Sequence, residues 1–173
     1  MLVANITIDS NGGSDFNSFY DNHIGNPSTI QQLHEAPSGK LMLAPNQMRN
    51  LLTTDGYREI RARCYKPWHQ RTMDLVVFGD FAINAFLSKT AKKDGSLCSN
   101  VRFLTDDNSK MQSSHVCNQI WMKNIENYWD SFVFVAGNVH YLLRKVNGQR
   151  VECDDKLTDS GYMLEGNWMF YVR

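Results

Sequence analysis

Seven residues between positions 61 and 71 carry the densest binding chemistry in the chain: Arg61, Arg63, Tyr65, Lys66, Trp68, His69 and Arg71. Guanidinium forks take sulfate, phosphate or carboxylate through paired hydrogen bonds. Tyr65 and Trp68 add ring faces on which a sugar or a base can stack. The same residues also describe an ordinary solvated strand face with a tryptophan tucked under a turn, which is the commoner outcome. The expectation is a ligand-binding cluster at this turn, weighed against that plainer alternative.

A second group is acidic. Asp106, Asp107 and Asn108 lie in TDDNS, and Asp154 and Asp155 follow Cys153. Calcium draws six to eight oxygens from loops of this kind. Neither stretch matches an EF-hand loop, and turns favour Asp and Asn for their own hydrogen bonding. Calcium is thus the one cofactor the sequence raises, and turn chemistry accounts for the same residues without it.

Catalytic constellations are missing from the pattern. His23, His34, His69, His115 and His140 stand in five different contexts, with no H-E-x-x-H and no nucleophile elbow beside any of them. Cys64 and His69 are five residues apart, but a strand position and a turn position have no reason to converge. The expectation is a protein that works by contact and not by bond-making. A hydrolase whose site assembles only in space is the weakest alternative.

The four cysteines, Cys64, Cys98, Cys117 and Cys153, include no C-x-x-C pair, and the nearest two are 19 residues apart. That spacing argues against a zinc or redox motif. In a turn-rich chain it points to two disulfides, with three pairings open. Four buried thiols acting as small hydrophobes would be the alternative. An Asn5-Ile6-Thr7 sequon marks Asn5 as a glycosylation acceptor compatible with secretion. The N-terminus has no basic region followed by a long apolar core, so either an intracellular protein or a mature chain or excised domain is expected. No apolar run reaches the roughly 18–20 residues of a membrane span.

At 173 residues, with 42% hydrophobic and 21% charged residues, the chain fits one globular domain spanning 1–173. Formal net charge is zero, so no global field draws it to nucleic acid or membrane. Residues 55–93 nevertheless hold eight basic and four acidic side chains. The positive charge therefore gathers around the cluster.

The elements that must position these residues read mostly as strands. Between Tyr57 and Tyr65, Ile60, Ala62 and Cys64 alternate with Glu59, Arg61, Arg63 and Tyr65, the pattern of a half-buried strand. Lys66 to Gln70 interrupts it, since Pro67 has no ladder donor. Thr72 to Phe78 reads as the next strand, and Gly79-Asp80 as a turn into a third over Phe81 to Leu87. Leu2 to Ile8 alternates as a first strand, with Leu2, Ala4, Ile6 and Ile8 opposite Val3, Asn5 and Thr7. Residues 14–39 form a long irregular loop or arm pinned by six apolar side chains.

Lys40 to Ala44 is a short strand or an entry turn. Residues 45–52 are the single helix candidate, with proline in the first turn and Met48, Leu51 and Leu52 on one face. Val101 to Leu104 and Val116 to Met122 read as strands. A meander follows, turning at Gly137-Asn138 and Asn147-Gly148. Trp168 to Arg173 closes the chain as a paired strand.

Some ten short strands with one helix and no βαβ alternation describe an all-β, mostly antiparallel domain, with a sandwich or jelly roll as its natural form. The functional expectation is a secreted recognition or adhesion module that binds carbohydrate or a protein partner. A structural subunit of a self-associating or mixed assembly is the alternative.

Overall fold

Along Glu59–Lys66 every second side chain is buried, and the strand pairs antiparallel with Arg71–Phe78 over its full length. We number the strands β1 to β12 in chain order, with these two as β3 and β4. The structure is a computed structural model, and it describes residues 1–9, 28–35, 39–87, 92–93, 99–109, 120–123, 133–136, 140–141, 145–146, 150–151, 153–154 and 165–173.

The main sheet has six antiparallel strands in the order β2-β1-β12-β3-β4-β6. Here β1 is Leu2–Ile8, β2 is Lys40–Met42, β6 is Val101–Phe103 and β12 is Gly166–Val172. The last strand therefore sits at the centre, between the first strand and the organising hairpin. Both edge strands span only three residues, which limits the unpaired backbone offered to other chains. A smaller sheet joins β5 (Lys92–Lys93), β7 (Ile120–Lys123), β8 (Val133–Ala136) and β9 (His140–Tyr141). Lys145–Val146 (β10) and Arg150–Val151 (β11) pair separately. The protein is mostly β and antiparallel.

The core lies on one face of the six-stranded sheet. Ile6, Trp168, Cys64 and Met73 follow one another across four strands in register, as do Ala4, Phe170, Ala62 and Leu75. All eight are buried. Helix α1 (Pro45–Thr53) closes over them with Met48, Leu51 and Leu52, the three residues its apolar spacing selects. Gly56, at φ 81°, turns the chain away from the helix. Partly buried Ile30 and Leu33, on a 3₁₀ turn over Ile30–His34, pack against the same core. Within the segment expected to be one irregular loop, that turn is regular structure. The rest of residues 14–39, apart from Gly39 and residues 28–35, lies outside the described residues.

Two expectations need correction. Phe81 to Leu87 is not a strand; Asp80–Leu87 is a second helix, α2. In a strand Phe81 and Ile83 would share a face, yet Phe81 is exposed and Ile83 is buried. Gly79, at φ 85°, makes the sharp exit from β4, and Asp80 places a carboxylate in the first helical turn, where the helix dipole favours it. Short apolar runs look alike in helices and strands when periodicity is the only guide. Val3 also departs from its expected outward face and is fully buried. A register shift between Leu2 and Ala4 breaks the alternation there.

The predicted strands at Lys40, Val101 and Trp168 are all present. Of the meander, β8 pairs with β9 and β10 with β11. The turns at Gly137-Asn138 and Asn147-Gly148 and residues 116–119 lie outside the described residues. Helix α2 lies against both β4 and β7. Among the described residues no helix is long and apolar enough to cross a membrane.

Candidate functional site

The predicted cluster divides between the two faces of the sheet and the turn that joins β3 to β4. Arg61, Arg63 and Tyr65 share the face opposite the core, each half-buried. Lys66 does not join them. It is the last residue of β3, it is 2% exposed, and it lies on the core side, where its Cγ is 3.2 Å from the position a Cβ would take at Gly166. The sequence placed Lys66 in the turn, but alternation carries one residue further and folds its aliphatic stem inward.

Arg61 and Arg63 converge on one carboxylate. Asp74 stands directly opposite Arg63 in register, yet its fork pairs with the diagonal neighbour. Arg61 Nε and Nη2 donate to the two Asp74 oxygens at 2.9 and 2.6 Å, while Arg63 Nε is 3.8 Å away. Asp74 is wholly buried. Hydrogen bonding to Asp74 raises the Arg61 guanidinium above its already high ordinary pKa, against the lowering effect of burial. The stability linked to that shift is present at all pH values below the ordinary guanidinium range and is lost only above it. The Arg61 guanidinium also lies 5.6 Å over the Tyr171 ring.

The turn residues are committed differently. His69 Nδ1 accepts from the Arg71 backbone N–H at 3.1 Å, so the ring proton sits on Nε2, which donates to the Cys153 carbonyl at 3.0 Å. Arg71 reaches Asp154 at 3.4 Å. Cys153 itself is joined to Cys64 by a disulfide that spans 89 residues of sequence. Three links thus fasten one short segment to the base of the turn. The Cys64–Cys153 bridge also removes any Cys64–His69 dyad, because the sulfur is no longer a thiol. Cys98 and Cys117 lie outside the described residues.

From the other side, Asn108 secures the same turn. Its Oδ1 accepts from Thr72 N at 2.6 Å and its Nδ2 donates to the Gln70 carbonyl at 3.2 Å. Gln70 has φ 54°, a left-handed conformation that costs a non-glycine residue about 1 kcal/mol and is held here by those contacts. Trp68, at the apex of this fixed loop, remains 45% exposed. The ring centroids of Trp68 and His69 are 6.2 Å apart at 60°.

Of the acidic residues, Asp107 and Asp154 are engaged in structure. Asp107 accepts from Asp74 N at 2.8 Å, and from Ser109 N and Oγ at 3.1 and 2.9 Å. Asp154 holds Arg71, while Asp106 is exposed. Asp155 lies outside the described residues. Among the described residues no three His, Cys, Asp or Glu side chains gather as a metal-binding group. Asn5 lies within β1, and its Oδ1 accepts from Asn167 Nδ2 at 3.2 Å.

Comparison with protein-family models, with curated proteins and with solved structures finds no match. The reading of the site therefore rests on its own geometry.

Sequence reasoning missed Asp74, the residue that organises the outward arginines. Its signal was visible: Asp74 is the single acidic side chain in the apolar strand RTMDLVVF, level with two arginines on the strand before. Arg102, Arg173 and Tyr171 were also missed as neighbours of Arg61. They approach it through the β4–β6 and β12–β3 pairings, which join segments distant in sequence.

Proposed function

We propose that this protein is a non-catalytic recognition module that binds carbohydrate, with Trp68 as the stacking platform. One observation carries the reading. The turn over residues 67–70 is tied down by a disulfide at its base, by His69 and Arg71 on one side and by Asn108 on the other, and it nevertheless presents a large aromatic ring to solvent. Fixing a ring in advance removes part of the ordering cost of binding. Trp also offers contact area at low side-chain entropy.

Carbohydrate is favoured over a protein partner because, among the described residues, Trp68 stands apart from the other exposed large apolar side chains. Among the described residues the exposed large hydrophobics are Met1, Trp68 and Phe81, and they sit on different elements. A protein hot spot needs a surrounding ring of contacts that excludes water, whereas a pyranose stacks on one ring with polar groups at its rim. Gln70 and half-buried Tyr65 and His69 are the neighbours available for that rim.

The reading includes an oxidising, extracellular setting, supported by the Cys64–Cys153 bridge. It also includes a sandwich in which the β5-β7-β8-β9 sheet forms the second layer, supported by the position of α2 against both β4 and β7.

A glycan array probed with the oxidised chain tests it. Wild type should retain a defined subset of glycans. Trp68→Ala should lose at least tenfold in apparent affinity, about 1.4 kcal/mol, and Trp68→Phe should keep part of the binding. Equal retention by wild type and Trp68→Ala, or no retention of any glycan, would overturn the reading.

A further inference from the structure

At the opposite end of β3 and β4 from Trp68, a cavity of ≈ 280 Å³ opens on the outward face of the sheet. Seven residues of strand separate the two ends, roughly 23 Å at the usual rise. The cavity wall includes Glu59, Arg61, Val76, Arg102, Tyr171 and Arg173. Its size is near the lower end of ligand pockets, so it suits one small unit and not an extended chain.

The charges in this wall are unequally committed. Arg61 is bound through Nε and Nη2 to Asp74. Arg173 Nε donates to Glu59 Oε2 at 2.8 Å, and Nη2 of the same guanidinium lies on the same oxygen. Arg102 is different. Among the described residues its guanidinium has a 3.8 Å approach to Glu59 Oε1 and lies 5.6 Å over the Phe78 ring. The Phe78 ring orients the guanidinium plane, while the donors keep capacity for a planar acceptor.

The guanidinium groups of Arg61 and Arg173 are thus paired, with Asp74 and Glu59 respectively, and Arg102 keeps donors that can take an anion. A planar guanidinium fork matches a planar carboxylate, which accepts two parallel N–H bonds from it. Glu59 is held in place by Arg173 and has acceptor capacity on Oε1, which suits a hydroxyl donor. We propose that this cavity is a second, independent ligand site that takes a hexuronate, with Arg102 receiving the carboxylate and Glu59 accepting from a ring hydroxyl.

Titration of the oxidised chain with glucuronate, followed by amide and guanidinium NMR shifts in 0.15 M salt, tests this. The expected result is saturable binding with a Kd on the order of 1 mM. Glucose should give no saturable shift, and acetate should bind at least tenfold more weakly than glucuronate. Arg102→Ala should weaken glucuronate at least tenfold, whereas Trp68→Ala should leave it unchanged.

Three outcomes would overturn the proposal. One is equal response to glucose or acetate and glucuronate, another is an Arg102→Ala titration matching wild type, and the third is loss of glucuronate binding in Trp68→Ala. The last would move the ligand to the turn, so this site and the Trp68 platform fail separately.

Discussion

At the Trp68 end of the β3–β4 hairpin, His69, Arg71 and Asn108 all hold other parts of the chain in place. At the Glu59 end, Arg102 and Arg173 approach a single carboxylate beside a cavity. Both ends are rich in polar and aromatic side chains, yet polar groups are spent on structure at one end and left facing open space at the other. A basic-aromatic sequence cluster therefore does not by itself locate a binding surface. At the turn the exposed residue is Trp68, the proposed platform, and its charged neighbours hold the turn beneath it.

The sharpest way to break this comparison is to release the turn from the segment it holds. Replacing Cys64 and Cys153 together by Ala removes an 89-residue cross-link. Chain-entropy reasoning puts the loss at about 4–5 kcal/mol. Denaturant unfolding checks the figure, and a loss near zero would mean that His69, Arg71 and Asn108 suffice without the bridge.

Asp74→Ala comes next, at about 2 kcal/mol by thermal or denaturant unfolding. It removes a fully buried acceptor, but the stranded arginines are partly exposed and can turn to water, so the cost falls below the 3–5 kcal/mol expected when a buried charge is left alone. His69→Ala, which forfeits two hydrogen bonds of the turn, should cost about 1–2 kcal/mol. Its effect should shrink in the Cys64→Ala, Cys153→Ala background, where the Cys153 segment is already loose; an undiminished effect would make the two ties independent.

The smallest effect belongs to the Glu59 end. Arg173→Ala, which removes a largely exposed ion pair, should shift stability by no more than about 0.5 kcal/mol. A larger loss would show that this end is also bound up in structure.

Much of this architecture was legible in the sequence because it depends on local periodicity. The period-two burial of Glu59 to Tyr65, the helix face of Met48, Leu51 and Leu52, and the closing strand at Trp168 each follow from spacing within ten residues. The pairing of Cys64 with Cys153 was one of three open possibilities, since spacing carries no information on which strands approach. Helix α2 was misread because DFAINAFL is too short and apolar to separate two periods. The bond between Arg61 and Asp74 depends on register, which two adjacent strands imply but do not spell out. The Glu59 cavity was beyond reach, since its wall joins β3, β4, β6 and β12 from separate parts of the chain.

The account stands or falls on the ring at the apex of the fixed turn. Wild-type chain titrated with a glycan selected by array, with the Trp68 indole N–H resonance assigned by its disappearance in Trp68→Phe, provides the direct measurement. A saturable shift of that resonance, with the buried Trp168 indole unmoved, is the predicted result. Saturable glycan binding that leaves the Trp68 signal in place would contradict it.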